Sequence, residues 1–281
     1  MTPASSPAQG VAEAGLPVLA GRGFHPSSRL RRRYLQVRDV FSMRAHHGWL
    51  QFILQRLGRK FRPAARLAEG VTLRLRRFTN LRSEAFDRKY GTETFTRSWV
   101  DCGDGTTWGY GPINQDFFRE IMRTVPVRFS DFDFVDVGCG KGAALMLASE
   151  FGFRRIIGVD LSADLISIAR SNAEKYRQAT RRPFSPEFIH CDFLEWPIPT
   201  ENTLFFLNNP FPRELSLRAI LRLERTLENR PGRGILVYRK VPGNVGDHLH
   251  ASSAWWPLRL APYWRVYATP PLAEELVSRR T

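Results

Sequence analysis

The stretch Phe132-Asp133-Phe134-Val135-Asp136-Val137-Gly138-Cys139-Gly140-Lys141-Gly142 decides the fold. Its first six residues are mostly apolar, and a short apolar run that meets a glycine cluster reads as a buried strand ending in a tight turn. Ala143 to Phe151 follow as a helix, so strand, turn and helix occur in succession. The pattern then repeats. Arg155-Ile156-Ile157-Gly158-Val159-Asp160 is a second buried strand, and Ser162 starts a helix over Ala163 to Gln178. Phe188 to Asp192 and Leu204 to Asn208 are further apolar runs, Arg213 to Glu228 is helical, and Gly234 to Tyr238 is another strand. Strands alternating with helices predict right-handed crossovers and an α/β architecture, a mostly parallel sheet with helices on both faces. Trp255 to Leu260 and Tyr263 to Thr269, joined through Ala261-Pro262, predict a C-terminal antiparallel strand pair.

Outside this unit the charge is uneven. The 281 residues hold 42 Lys+Arg against 27 Asp+Glu, a formal charge of +15. Residues 1–82 contain 16 Lys+Arg and 3 Asp+Glu, leaving 26 − 24 = +2 for residues 83–281. Three parts follow: a Pro/Ala/Ser/Gly-rich disordered tail over residues 1–28, a basic amphipathic helical extension over residues 29–82, and an α/β domain over residues 83–281. In the extension Trp49, Phe52, Ile53, Arg56 and Leu57 recur at helical spacing, which gives one apolar face with positive flanks. Residues 29–77 therefore suit an anionic membrane surface or nucleic acid; the competing reading is a helix packed on the domain with solvated arginines. The apolar run Trp49 to Leu54 is far short of the about 18–20 residues that cross a bilayer. Three scattered cysteines, Cys102, Cys139 and Cys191, form no C-x-x-C pair, which predicts a reducing, cytoplasmic setting, peripheral at the membrane if the extension binds there.

A ligand in an open parallel sheet binds beyond the strand C-termini, where strand order reverses. Gly138, Gly140 and Gly142 let a ligand approach main-chain N–H groups there, and Asp160, 18 residues past Gly142, closes the next strand where a carboxylate can accept from ribose hydroxyls. A phosphate P-loop is excluded, because Val135 and Gly142 stand where it needs glycine and a hydroxyl residue. The spacing Gly138-x-Gly140-x-x-Ala143 keeps a dinucleotide site open, and with it an NAD(P)-dependent oxidoreductase.

The ordered series Val135-Asp136-Val137-Gly138-Cys139-Gly140-Lys141-Gly142, Gly158-Val159-Asp160-Leu161-Ser162, Cys191-Asp192-Phe193 and Asn208-Asn209-Pro210-Phe211 resembles the motifs of class I S-adenosylmethionine-dependent methyltransferases. The resemblance covers roughly residues 130–240, and the segment from Phe86-Asp87-Arg88-Lys89-Tyr90-Gly91 to Gly111-Pro112 is similar to the lead of some bacterial members. It implies a Rossmann-like fold and S-adenosylmethionine as cofactor. It also implies roles: Asp136 near the methionyl ammonium, the Gly138, Gly140 and Gly142 backbone along methionine and ribose, and Asp160 on the ribose diol. Asp192 accepts from the adenine amino group, Leu161 and Phe193 supply apolar ring faces, and Asn208 closes the cofactor side. Each aspartate has a competing structural use as a cap or turn residue.

Asn209, Pro210 and Phe211 resemble the Asn-Pro-Pro-aromatic signature of methyltransferases acting on amino nitrogens, with Phe211 where a second proline is expected. The implied catalytic set is Asn209 steering the acceptor, with Pro210 and Phe211 shaping its site. Tyr90, Thr94, Tyr110 and Gln115 are candidates for a lid. His190, His248 and His250 lack companions at ligand spacing, so no metal is expected, and the acceptor itself is not encoded in any motif. A third reading is a non-catalytic basic protein that binds nucleic acid or membrane.

Overall fold

The structure, a computed structural model, describes residues 84–96, 98–101, 107–199, 201–228, 233–261 and 263–278. The expected tail and basic extension, with the helix at Trp49 to Leu57, lie outside the described residues.

The described chain opens with a helix, α1, over residues 84–90, and a hairpin of β1 (Ser98–Asp101) and β2 (Thr107–Tyr110). Next comes α2 (Gln115–Arg123), started by Asn114, whose side chain accepts from the Asp116 and Phe117 amides. The alternating unit follows: β3 (Asp133–Val137), α3 (Ala143–Ala148), β4 (Arg155–Asp160), α4 (Ala163–Thr180), β5 (Glu187–His190), β6 (Thr203–Asn208), α5 (Arg213–Glu228) and β7 (Gly234–Arg239). The chain ends with α6 (Gly243–Ala251), β8 (Trp256–Leu260), β9 (Trp264–Ala268) and α7 (Pro270–Ser278).

Seven strands form one sheet in the order β5-β4-β3-β6-β7-β9-β8. The pairs β3 with β4, β3 with β6, β4 with β5 and β6 with β7 are parallel, while β9 runs antiparallel to both β7 and β8. The mostly parallel α/β fold with a C-terminal antiparallel pair is thus present. Because a strand turns alternate residues to opposite faces, Phe134 and Phe206 enter one core with Phe118 of α2, and Val135 and Phe205 enter another with Ile220 of α5. The chain leaves β3 toward β4 and β5, then returns to place β6 on the other side of β3. That reversal opens a crevice between the C-terminal ends of β3 and β6, and both ends carry the motifs.

Candidate active site

The turn after β3 is folded onto β4: the Gly138 and Cys139 amides both donate to the Val159 carbonyl, at 2.8 and 3.0 Å. Gly138 and Gly140 adopt φ of 74° and 53°, a left-handed region that strains residues with a side chain. The space their missing side chains leave is taken by the protein itself. A Cβ on Gly138 would lie 2.6 Å from Pro210 Cβ, and one on Gly140 would lie 2.3 Å from the Tyr110 ring. The glycines therefore let the acceptor-side loop and an upstream aromatic close on the turn, a role the spacing alone did not reveal.

Asp160 has two tasks. Its Oδ2 accepts from the Gly140 amide at 2.8 Å and its Oδ1 from the Ser162 amide at 2.9 Å, so it braces the turn and the start of α4. A carboxylate has about four acceptor sites, so this bracing leaves capacity for a diol. Asp136 differs: buried on β3, its side chain makes no hydrogen bond or ion pair with any described residue, although it lines the crevice. Burial, then the neighbouring Asp160 charge, pushes its carboxyl well above the usual range. Asp160 is also raised, chiefly by burial and against the pull of its backbone donors. Two poorly compensated carboxylates at one wall suit a cationic ligand.

Farther along, Asp192 Oδ1 accepts from the Leu194 amide at 2.8 Å, fixing the turn after β5. Phe193 is buried, packing near Trp196 and Phe211 with ring centroids 6.3 and 6.1 Å away, while Arg222 donates to its carbonyl. Leu161 is 46% exposed and is one of two large apolar side chains left exposed among the described residues. Leu161, Asp192 and Phe193 line the same cleft, the mix of apolar faces and one carboxylate that a purine takes. His190, read as structural, contacts the Leu161 carbonyl at 3.0 Å.

The residues expected on the acceptor side lie on the loop after β6. Asn208 Nδ2 donates to the Gly111 carbonyl at 3.2 Å and its Oδ1 accepts from Arg239 at 2.6 Å, so its amide ties three segments together. Asn209 has φ of 55°, which turns the chain sharply before Pro210 reaches Gly138. The candidate cofactor and acceptor residues all line one cleft of about 700 Å³ except Gly142, whose missing Cβ faces Ala169 of α4. That volume lies within the range of small-molecule sites.

Of the lid candidates only Tyr110 lines the cleft: its ring lies on Gly140 and its hydroxyl donates to the Thr94 carbonyl at 2.9 Å. Tyr90 instead joins an aromatic cluster with Phe86 and Tyr176. The structure adds residues the sequence did not flag. Asp87 accepts from the amides of Thr94 and Phe95 and the hydroxyls of Thr92 and Thr94, which folds the chain after α1. Asn172 of α4 accepts from the Glu93 amide and donates to the Glu93 and Lys141 carbonyls, and the fully buried Lys141 pairs with Glu93 at 2.7 Å. The upstream segment is thereby stitched to the glycine turn. Cys139 is buried against Gly158, and burial pushes its thiol up, as fits a small apolar filler. His248 pairs with Glu224 between α6 and α5, at 2.9 Å. Among the described residues no group of three or more His, Cys, Asp or Glu could hold a metal ion, and no helix is long and apolar enough to cross a membrane.

Residues 134–224 match the family model described as a methyltransferase domain. The match runs from β3 into α5 and so takes in the glycine turn, Asp160, Asp192 and the loop after β6. The cleft offers a buried carboxylate unpaired among the described residues (Asp136), a carboxylate with acceptor capacity (Asp160) and an exposed apolar side chain (Leu161). Nothing found supports the nicotinamide reading. The methyltransferase domain is similar to the magnesium protoporphyrin IX methyltransferase of Synechocystis PCC 6803 with bound SAM, at 16% identity and a TM-score of 0.42, covering 55% of this chain and 77% of that one. It is also similar to an RNA methyltransferase from Salinibacter ruber in complex with S-adenosyl-L-homocysteine, at 20% identity and a TM-score of 0.41, covering 56% and 92%. No curated protein matches the chain.

Proposed function

We propose that this methyltransferase transfers a methyl group to an amino nitrogen of an acceptor lying against the Asn208–Phe211 loop. The supporting observation is the contact of Gly138 with Pro210, which joins the cofactor turn to the acceptor loop at the strand reversal. S-adenosylmethionine, when bound, would supply a methyl carbon activated by sulfonium: the nitrogen lone pair would form the C–N bond, the C–S pair would stay on sulfur as a neutral thioether, and the proton shed by the methylated nitrogen would pass to solvent. The chain's work is then alignment and exclusion of water. Asp160 holds the ribose diol, Asp192 the adenine amino group, and Asp136 faces the methionyl ammonium. Leu161 and Phe193 flank the base. The Asn209 carboxamide oxygen accepts from the acceptor N–H and turns the lone pair toward the methyl carbon, with Phe211 beside a planar substrate.

In this reading residues 83–281 form the catalytic domain, and the basic residues upstream attach it to an anionic surface. Titration calorimetry on the full chain tests the first part. S-adenosylhomocysteine should bind and reduced nicotinamide cofactor should not; the reverse result refutes the reading. Radiolabelled methyl transfer to metabolite extracts then tests the acceptor atom, since label on oxygen or carbon alone rejects the nitrogen assignment. Deleting residues 1–80 tests the attachment: equal liposome and RNA binding by the full and the shortened chain across salt rejects it.

A further inference from the structure

The acceptor end of the cleft contains a cation that methyl transfer does not require. Arg239 ends β7 in register with Asn208 and lines the cleft. Its Nη1 donates to Asn208 Oδ1 at 2.6 Å, and its guanidinium carbon lies 5.4 Å from the Phe117 ring centroid. Its Nε is buried without a hydrogen-bond partner. Among the described residues no carboxylate pairs with it. Two other partly buried arginines are compensated: Arg119 by Glu150 at 2.6 Å, and Arg222 by the Phe193 and Trp196 carbonyls. Burial holds the Arg239 guanidinium down at about 10, with no nearby charge acting against it. A desolvated guanidinium with no opposing charge is stabilised when a ligand supplies that charge.

We propose that Arg239 binds an anionic oxygen group, carboxylate or phosphate, of a small methyl acceptor. This rests on the Asn208–Phe211 loop being the acceptor side. Exposed Arg218 and Lys240 at the cleft add positive potential, against which stands the exposed Glu214. Because Arg239 is largely enclosed, a terminal group reaches it more readily than the middle of a polymer. Guanidinium suits the task, since its planar fork matches carboxylate and phosphate oxygens.

The test is calorimetry on the full chain saturated with S-adenosylhomocysteine, with benzoate and phenyl phosphate as probes and benzamide as the neutral control. At least one anion should bind at millimolar concentration or better, the arm that binds telling carboxylate from phosphate. Arg239→Gln should weaken it by about 10- to 150-fold, the equivalent of one charge-assisted hydrogen bond, and leave S-adenosylhomocysteine affinity unchanged. Benzamide should bind at least tenfold more weakly than the anion. The proposal falls if neither anion binds, if Arg239→Gln binds it as the native chain does, or if benzamide binds equally well. Should the variant lose S-adenosylhomocysteine binding as well, crystals of the native chain soaked in each anion decide. Density at Arg239 supports the assignment, and density elsewhere or none overturns it. If the native chain itself fails to bind S-adenosylhomocysteine, the methyl-transfer reading fails separately, and the anion titration repeated without it still judges Arg239.

Discussion

Gly138→Ala should lower stability by about 2–5 kcal/mol, from two sources that can be measured apart. At φ of 74° the new side chain carries the left-handed cost of about 1–2 kcal/mol. Its Cβ would also stand 2.6 Å from Pro210 Cβ and 3.3 Å from Pro210 Cα. Carbon atoms rest at about 3.5–4 Å, so the acceptor loop must retreat by about 1 Å, and overpacking of this kind costs about 1–3 kcal/mol. Gly152 separates the two, since it has φ of 72° with nothing within 4 Å of the position a Cβ would take. Gly152→Ala should therefore show the conformational part alone. Urea unfolding of the full chain reads both as shifts in midpoint at constant slope. In the Pro210→Gly background Gly138→Ala should cost about 1–3 kcal/mol less, as a coupling energy of a double-mutant cycle. Coupling under about 0.5 kcal/mol, or equal costs for Gly138→Ala and Gly152→Ala, would show that the two loops are not in contact and would remove the link between cofactor turn and acceptor loop.

Three further outcomes are expected. Asp160→Ala should weaken S-adenosylhomocysteine binding by about 10- to 150-fold in calorimetry, and, because the Gly140 and Ser162 amides lose their acceptor, should also cost about 1–3 kcal/mol of stability; unchanged affinity would take Asp160 out of the site. Asp136 has a folded pKa above its ordinary 3.8, so the folded state holds that proton more tightly, and its stabilisation is full below about that value and is lost as pH rises through the raised one. Asp136→Asn should flatten this fall, making its urea midpoint gain on the native chain from acid to neutral pH, whereas a pH-independent difference would contradict the burial argument. Asn172→Ala strips three hydrogen bonds from the Glu93 and Lys141 backbone and should cost about 1–3 kcal/mol, with the segment before Thr94 becoming the first site of limited proteolysis; cleavage elsewhere would show that Asn172 does not hold it.

The parallel sheet was legible because its strands are buried on both faces, so runs such as Leu204-Phe205-Phe206-Leu207 carry a signal that no solvent-facing strand gives. The expected helix from Arg213 to Glu228 agrees with α5, and the helix from Ser162 starts as expected, with the Ser162 side chain accepting from the Leu165 amide. The helix after the glycine turn is shorter than its composition suggests, stopping at Ala148 before a turn. Helix α6 was not legible for a different reason. Gly243-Asn244-Val245-Gly246 has two glycines and little propensity, and the helix is held by packing of Val245 and Leu249 and by His248 on Glu224. Tertiary contacts decide such a segment, and the local sequence does not contain them.

The site divides along the same physical line. The residues proposed to meet the cofactor sit at the ends of consecutive strands, so their spacing along the chain reflects a repeated strand-turn geometry and a single sequence reveals it. Tyr110, Asn172, Glu93 and Arg239 share the cleft or its walls through long-range contacts instead. Glu93 meets Lys141 across 48 positions and Asn172 across 79. Arg239 is at the end of an ordinary buried strand, where an arginine on the sequence could as well snorkel to solvent. What distinguishes it is the missing partner, a property of the folded neighbourhood alone. On this proposal the donor half of the site is written in motif order, whereas the acceptor half depends on which charges the fold leaves uncompensated beside Pro210 and Asn208.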